Sequence, residues 1–323
     1  MSKPVLLSTG WMMPLVTRQI EEAFEVHWLN KVADWDRLFA DIGPRIEAVC
    51  TGALTNVATD AAMIAKMPNL KIISNYGVGY DSINVPAAKA QGVVITHTPE
   101  VLNEEVADMA VGLLIATVRE FNHAEAYLRS GEWAQKGEFR YTPSLRDRHV
   151  GMIGFGRIGK AIGKRLEGFG VPLSYFGRTK QPDVAYPFYN DLVAMARDVD
   201  TLVAILPGGP ATQGLINKAV LEALGPRGIV INVARGSVVD EAALIDALKS
   251  RTIQSAGLDV YVNEPKINPA FLELDNVTLL PHVGSGSQFT RDKMGQLTVD
   301  NLLAYKARQS PLTPTPDTPF KGW

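Results

Sequence analysis

Three short segments late in the chain carry side chains able to do chemistry on a small polar molecule. Ile231-Asn232-Val233-Ala234-Arg235-Gly236 sets a guanidinium just past a buried, β-branched run. In an open parallel sheet, ligands bind outside the carboxyl ends of the strands. Arg235 is therefore placed to hold a carboxylate and a neighbouring carbonyl oxygen in one plane, each charge-assisted bond being worth about 1.5–3 kcal/mol. The segment equally allows a structural arginine bonded to backbone carbonyls. Gly257-Leu258-Asp259-Val260, followed by Tyr261-Val262-Asn263-Glu264-Pro265, puts one carboxylate at a strand end and another in the loop beyond. Leu279-Leu280-Pro281-His282-Val283-Gly284-Ser285 puts an imidazole at the end of the last strand. Among the five histidines, only His282 joins a strand end to a Gly-Ser turn with room for a ligand. His27 and His149 sit beside strands, and His97 and His123 read as loop or helix-surface residues. A lone histidine is more often structural than reactive, so His282 needs its surroundings to decide its role.

A second constellation lies upstream. Gly154-Phe155-Gly156-Arg157-Ile158-Gly159 fits G-x-G-x-x-G, follows a predicted strand and opens a predicted helix, the context that gives this pattern its mechanism. Gly154 permits the tight turn, Gly156 lets a pyrophosphate approach the backbone, and Gly159 lets the helix pack closely on its strand. The helix amino terminus offers free N–H groups and a positive dipole end to phosphates. An NAD-binding unit usually carries Asp or Glu about 20 residues on, to hold the ribose 2′-OH. From Val171 to Pro182 there is no acidic residue, and the strand ends in Gly177-Arg178-Thr179-Lys180. A carboxylate there would repel a 2′-phosphate, whereas Arg178 can clasp it with two charge-assisted bonds and Thr179 can donate another. The expected cofactor is NADPH, with NADH as a weaker possibility.

These groups need a scaffold, and the chain supplies the pattern for one. Its 323 residues suggest about two domains. Val5–Leu7, Ala48–Cys50, Lys71–Ser74 and Val93–Thr96 are continuous apolar runs of strand length, separated in part by helical stretches at Ala58–Lys66 and Pro86–Gln91. Such alternation implies a parallel sheet covered by helices. A long helical pattern then runs from Ala107 through Leu128 and stops at Gly131, suited either to join two α/β units or to sit in a core. The second unit shows strands at Val150–Ile153, Val171–Phe176, Thr201–Leu206, Ile229–Val233, Ser255–Leu258 and Val277–Leu280, with a helix at Ile158–Phe169. The last helical pattern, Thr290–Tyr305, is expected to return to the first unit. Four prolines in the final thirteen residues favour an extended tail, either a passive terminus or a segment that packs on a partner subunit.

Composition narrows the classes. The chain is 46% apolar and 20% charged, with a net charge of −2, so it lacks the basic excess of a phosphate-neutralising nucleic-acid binder. Cys50 is the only cysteine, which removes intramolecular disulfides and any cysteine-cluster metal site; no metal site is expected. No apolar run approaches the roughly 18 residues that span a bilayer, and Val5-Leu6-Leu7 is too short for a secretory signal. A cytoplasmic protein without membrane or nucleic-acid partners is the expectation.

Taken together, the motifs are similar to those of the D-isomer-specific 2-hydroxyacid dehydrogenase family over almost the whole length. The resemblance rests on Gly-Val-Gly-Tyr-Asp at 77–81, Thr-Pro-Glu-Val-Leu-Asn at 98–103 running into Ala107-Asp108, the 154–159 turn, Asn232-Val-Ala-Arg-Gly-Ser, Gly257-Leu-Asp-Val with Asn263-Glu-Pro, and Pro281-His282. Gly177-Arg178-Thr179 resembles the NADPH-dependent glyoxylate/hydroxypyruvate reductase branch. The resemblance implies an α/β fold of two Rossmann-like or flavodoxin-like parallel-sheet domains with an interdomain active-site cleft. Residues 1–98 plus 288–323 would form a discontinuous substrate-binding domain and 99–287 the NADP-binding domain.

The implied activity is reduction of a small 2-oxo acid by hydride from NADPH. His282 would be the general acid, Glu264 would fix its tautomer, and Arg235 would orient and polarise the substrate. Val78 and Gly79 would hold the substrate carboxylate through backbone N–H groups, with Arg235 and His282 completing the substrate contacts. Asp259 would bond the nicotinamide carboxamide, and Leu206, Pro207 and Thr212 would line the cofactor. The cofactor set would also include Gly154, Phe155, Gly156, Arg157, Ile158, Gly159, Arg178, Thr179, Val233, Ala234, Arg235, His282 and Gly284. A homodimer is implied, with the region Ala107–Arg129 at its contact and Trp133 either at that interface, in a core, or near a neighbouring active site.

One departure and three alternatives remain. The Gly-His-Ser found after the catalytic proline in many relatives is replaced here by His282-Val283-Gly284-Ser285. Phosphoglycerate dehydrogenase and NAD-dependent D-lactate-type enzymes share the fold, as do cofactor-sensing corepressors that bind without turnover. Arg178→Ala should abolish most of the NADPH preference in kcat/KM; a preference left unchanged would remove the role given to that guanidinium.

Overall fold

Strand and helix alternate along the chain, which a computed structural model describes over residues 3–52 and 57–323. Two units result, Met1–Leu102 with Ser287–Trp323, and Asn103–Gly286. Their limits at 102/103 and 286/287 lie beside the expected 98/99 and 287/288.

The first unit runs β1 (Val5–Ser8), α1 (Pro14–Ala23), β2 (Glu25–Trp28), α2 (Trp35–Ile42), β3 (Ile46–Thr51), α3 (Ala61–Ala65), β4 (Ile72–Asn75), α4 (Val85–Ala90) and β5 (Val94–Thr96). All five strands are parallel, in the order β2-β1-β3-β4-β5, the flavodoxin-like winding. Helix starts are set by local chemistry. Asp34, Asp60 and Asn84 each accept a backbone N–H from the first turn they cap, and Pro14 and Pro86 occupy positions where no N–H is needed. One face of the sheet buries Leu7, Val49, Ile73 and Ile95 with Met67 and Leu70. The other buries Leu6, Ala48 and Ile72 against Ile20 and the carboxyl-terminal helix Gln288–Lys306, through Val299, Leu302 and Tyr305. The last helix thus returns to this unit, as its sequence suggested.

The proline-rich tail packs against its own chain. Thr315 donates its N–H to Ile95 O at 2.8 Å, and Ile95 donates its N–H to Thr318 Oγ1 at 2.8 Å. Thr96 and Pro314 form an antiparallel bridge, and Thr315 and Thr318 are buried. The tail therefore covers the open edge of β5 in its own chain, where proline's missing N–H is harmless.

The second unit opens with α5 (Asn103–Val118), α6 (Phe121–Arg129) and α7 (Glu132–Lys136). The single long helix expected here is broken, because the backbone turns left-handed at Glu120 (φ 52°). Its first part is a core helix, with Ala107, Ala110, Leu113 and Leu114 buried. Then follow β6 (Val150–Ile153), α8 (Arg157–Glu167), β7 (Leu173–Phe176), β8 (Phe188–Tyr189), α9 (Leu192–Asp198), β9 (Thr201–Ala204), α10 (Lys218–Leu224), β10 (Ile229–Asn232), α11 (Glu241–Lys249), β11 (Ser255–Leu258) and β12 (Val277–Leu279). The parallel sheet is ordered β12-β11-β10-β9-β6-β7-β8, the dinucleotide-binding winding extended by one strand. Its order reverses between β6 and β9, where such sheets bind ligands.

The amino ends of these strands are tied by one guanidinium. Arg148, 3% exposed, reaches Arg227 O at 2.9 Å, Gln254 Oε1 at 2.7 Å and the Asp200 carboxylate at 3.5 Å. These groups precede β10, β11 and β9. Burial pulls the Arg148 pKa down, while Asp200 and Asp147 oppose the shift. Arg148→Ala should lower stability by about 1–3 kcal/mol, since it strands buried acceptors while Asp200 keeps Arg227 at 3.6 Å. A denaturant midpoint equal to wild type would show that the clamp contributes nothing.

Candidate active site

The ends of β10, β11 and β12, three neighbours in the sheet, each deliver one of the expected residues. After β10, the buried Asn232 side chain accepts the Ala234 N–H at 3.1 Å and donates to Arg235 O at 3.0 Å. That bracket turns the chain so that Arg235 leaves the sheet half-buried, one of its Nη atoms donating to Ala234 O at 2.8 Å. Gly236 follows because nothing larger fits: a Cβ there would lie 1.9 Å from the Tyr261 carbonyl carbon. The turn carrying Arg235 is thereby pressed against the loop carrying Glu264.

Tyr261 itself spans two strand ends, its hydroxyl donating to Leu258 O at 3.1 Å or Leu280 O at 3.0 Å. Its N–H donates to Glu264 Oε1 at 2.9 Å, which leaves Oε2 to meet His282 Nδ1 at 2.6 Å. A carboxylate only accepts, so Nδ1 carries the hydrogen, and Nε2 is the nitrogen left to exchange a proton. Burial pushes the Glu264 carboxyl up, but the His282 hydrogen bond, the Tyr261 N–H and the His282 and Arg235 charges outweigh it, and the net direction is downward.

His282 has a left-handed backbone (φ 53°), an uncommon conformation for a residue with a side chain. The following loop holds it there. Asp259, 2% exposed, accepts the Val283 N–H at 2.7 Å and the Gly284 N–H at 2.9 Å, one on each oxygen. A Cβ on Gly284 would meet Asp259 Oδ2 at 3.0 Å. Asp259 and Gly284, both expected at the cofactor, are bonded to each other and clamp the histidine's loop. Burial raises the Asp259 pKa against the pull of those two N–H donors and of His282.

Asn232 and Tyr261 were not singled out from sequence as shaping this site. Their signal was only their place inside the two motifs, since the bonds that give them work run to strand ends and loops not visible in a linear reading.

The nucleotide turn stands at the sheet's reversal point. Gly154 has φ 91°, and a Cβ there would lie 2.6 Å from Ile205 O, just past β9; only glycine fits between these two strand ends. Gly156 faces open space within 4 Å of its Cβ direction and caps α8 without any side-chain acceptor, the kind of helix start that can receive an anion. Gly159 packs against Gly154 O. The Phe155 ring is buried against Tyr175 and Tyr186, leaving its backbone to the turn, while Arg157 and Ile158 begin the helix. Arg178 and Thr179, at the end of β7, are exposed, and Arg178 has no hydrogen bond or ion pair among the described residues. Leu206 and Pro207 follow β9, and Thr212 closes their loop by donating to Pro207 O at 2.8 Å. Val233 and Ala234 are buried after β10. An anion-ready turn with a free guanidinium one strand away fits a dinucleotide bearing a 2′-phosphate.

In the first unit, Val78 and Gly79 follow β4 in a loop whose carbonyls are all drawn inward. Asn75 Nδ2 donates to Gly77 O and Gly79 O, both at 3.0 Å; Thr98 N–H also reaches Gly77 O at 2.9 Å, and His97 Nδ1 meets Val78 O at 3.0 Å. The Val78 and Gly79 N–H groups have no acceptor among the described residues. Successive free N–H groups of this kind form an anion-binding concavity.

Comparison with known proteins shows the family. The family profile of the D-isomer specific 2-hydroxyacid dehydrogenase, NAD binding domain, matches residues 111–284. The chain belongs to the D-isomer-specific 2-hydroxyacid dehydrogenase family. Among its relatives, glyoxylate/hydroxypyruvate reductase A of Arabidopsis thaliana is 44% identical over 80% of this chain and 82% of its own length. The 2-ketogluconate reductase of Gluconobacter oxydans is 39% identical over 97% of this chain and 99% of its own. A solved structure of the NADPH-dependent glyoxylate/hydroxypyruvate reductase from Sinorhizobium meliloti, in complex with NADP and malonate, is 45% identical, with a TM-score of 0.93 over 100% of this chain and 99% of that one. The matched segment of this dehydrogenase spans its glycine turn and ends at Gly284.

The depressed Glu264 pKa fixes the sign of a pH effect. The pair's stabilisation is fully present above the unfolded glutamate's titration and is lost as pH falls through the lower folded value. Stability-versus-pH curves of wild type and Glu264→Gln should lie apart above that range and converge on acidification. Curves that stay parallel into strong acid would deny a charged pair.

Proposed function

We propose that this dehydrogenase reduces small 2-oxo acids, glyoxylate and hydroxypyruvate foremost, to 2-hydroxy acids with NADPH. The observation that carries the reading is the His282 Nδ1–Glu264 Oε2 contact of 2.6 Å at the carboxyl ends of adjacent strands, beside Arg235. When bound, the reduced nicotinamide supplies a hydride to C2 of the 2-oxo acid. His282 Nε2 gives its proton to the ketone oxygen as that oxygen gains charge, and solvent restores the proton afterwards. Glu264 keeps the imidazole oriented and fixes its tautomer. Arg235 steers the carbonyl and polarises it. The Val78 and Gly79 amides hold the substrate carboxylate, and Asp259 with Gly284 shapes the loop behind His282. The turn Gly154, Phe155, Gly156, Arg157, Ile158 and Gly159 would receive the pyrophosphate, Arg178 and Thr179 the 2′-phosphate, and Leu206, Pro207, Thr212, Val233 and Ala234 the remaining cofactor surface.

A second copy of the chain is part of the proposal. Helices α6 and α7 bury none of their own residues, and Phe121, Leu128, Trp133 and Tyr141 are 53–93% exposed. Such a run of bare apolar side chains marks an interaction surface, and the homodimer implied by the family motifs is its natural occupant. Within the implied Ala107–Arg129 region Ala107 is buried in its own unit, α6 supplies the exposed face, and α7 extends it. No helix among the described residues is long and apolar enough to cross a membrane; a cytoplasmic site of action is part of the proposal.

His282→Ala should lower kcat for reduction by about 10²–10⁴. Undiminished turnover in that variant would remove the mechanism. Because one long relative is named a 2-ketogluconate reductase, a panel of glyoxylate, hydroxypyruvate and 2-ketogluconate with NADPH and NADH ranks the substrates; no turnover with any of them would leave a binding function. Light scattering should give a dimer mass for wild type and a monomer mass for Leu128→Glu/Trp133→Glu.

A further inference from the structure

The loop that offers the Val78 and Gly79 amides is built on the tail of the chain. Asn301, fully buried on the carboxyl-terminal helix, accepts the N–H groups of Leu312 at 2.9 Å and Thr313 at 3.1 Å, and its own amide donates to Thr313 Oγ1 at 2.9 Å. Thr313 Oγ1 in turn donates to His97 O at 2.6 Å, and His97 N–H reaches Thr313 O at 3.2 Å. His97 Nδ1 then donates to Val78 O at 3.0 Å; a carbonyl only accepts, so this imidazole carries its hydrogen on Nδ1. Four residues further along the tail, Asp317 Oδ2 accepts the Tyr80 hydroxyl at 2.7 Å, and the Tyr80 ring stands edge-on against His97 at 5.6 Å.

We infer that the carboxyl-terminal segment 313–317 is a positioning element for the substrate's carboxylate, acting on the Val78–Gly79 amides through His97 and Tyr80. Thr313 fixes the backbone of His97, His97 draws the Val78 carbonyl inward, and Asp317 holds Tyr80, the residue that closes the loop. With its carbonyls tethered on one side, the loop presents two N–H groups on the other without further ordering when an anion binds. The Tyr80 hydroxyl is pushed up to about 12, by burial first and then by the Asp317 hydrogen bond and charge, so it remains a donor at working pH. The inference rests on the proposal that these amides bind the carboxylate.

Asp317 makes the test sharp, because its two possible effects have opposite signs. As a bare negative charge near an anion site it would weaken substrate binding, and its removal would lower KM. As a positioning residue its removal raises KM. Asp317 is exposed, so the fold should tolerate Asp317→Ala, and a denaturation midpoint checks this. The expected result is an about three- to tenfold rise in KM for glyoxylate or hydroxypyruvate in Asp317→Ala, Tyr80→Phe and His97→Phe, with kcat and the NADPH Kd kept. His97→Phe retains a ring against Tyr80 while deleting the donor. Asp317→Asn, which keeps an acceptor for Tyr80, should restore the wild-type KM or lower it. A KM unchanged or lowered in Asp317→Ala, or a rise that Asp317→Asn fails to reverse, overturns the inference. The underlying reading fails separately, if wild type reduces the methyl ester of a 2-oxo acid as efficiently as the free acid.

Discussion

An imidazole has two nitrogens, and chemistry at one of them depends on what occupies the other. In this chain the occupant is the Glu264 carboxylate, held by the Tyr261 N–H on one oxygen and by His282 on the other. Nearly every local feature at the ends of β10–β12 keeps that contact in register. Gly236 lets two loops touch backbone to backbone. Asp259 secures the peptide units after His282, whose left-handed backbone would otherwise be free to relax. The two carboxylates have divergent environments. Burial prevails at Asp259 and donors prevail at Glu264, so neighbouring acids take different tasks, one shaping the backbone and one orienting the imidazole.

The sheet of the second unit explains why these residues come from distant parts of the sequence. Parallel strands all point their carboxyl ends the same way, so each new crossover adds one more side chain to the same rim. Arg235, Asp259 and His282 are products of successive crossovers, and the Gly154 turn joins that rim at the strand-order reversal. Arg148 does the matching work at the opposite ends, where strand alignment is set.

Much of this is legible in the sequence. Strands buried on both faces read as unbroken apolar runs, and Val150–Ile153 and Ser255–Leu258 fall where the sequence put them. The glycine turn and the three strand-end motifs were equally plain, because they need particular residue types at fixed local spacing. What escaped depends on partners far along the chain. Strand β2, Glu25-Val26-His27-Trp28, is a half-buried edge and carries no apolar run. The break at Glu120 needs a residue of ordinary helix propensity to adopt φ 52°, which tertiary packing decides. The motif that carries Asp259 gives no sign of its bonds to amides 24 and 25 residues away.

The tail over β5 has a consequence for the life of the molecule outside catalysis. A bare edge strand is a template on which another chain's strand can dock, and natural proteins shield such edges against uncontrolled association. Here the shield is a threonine- and proline-rich terminus that satisfies the Ile95 amide and carbonyl while offering few donors of its own. Nicking by a protease near Ser310 would therefore strip a sheet of its guard, and loss of colloidal stability would follow before any loss of the core.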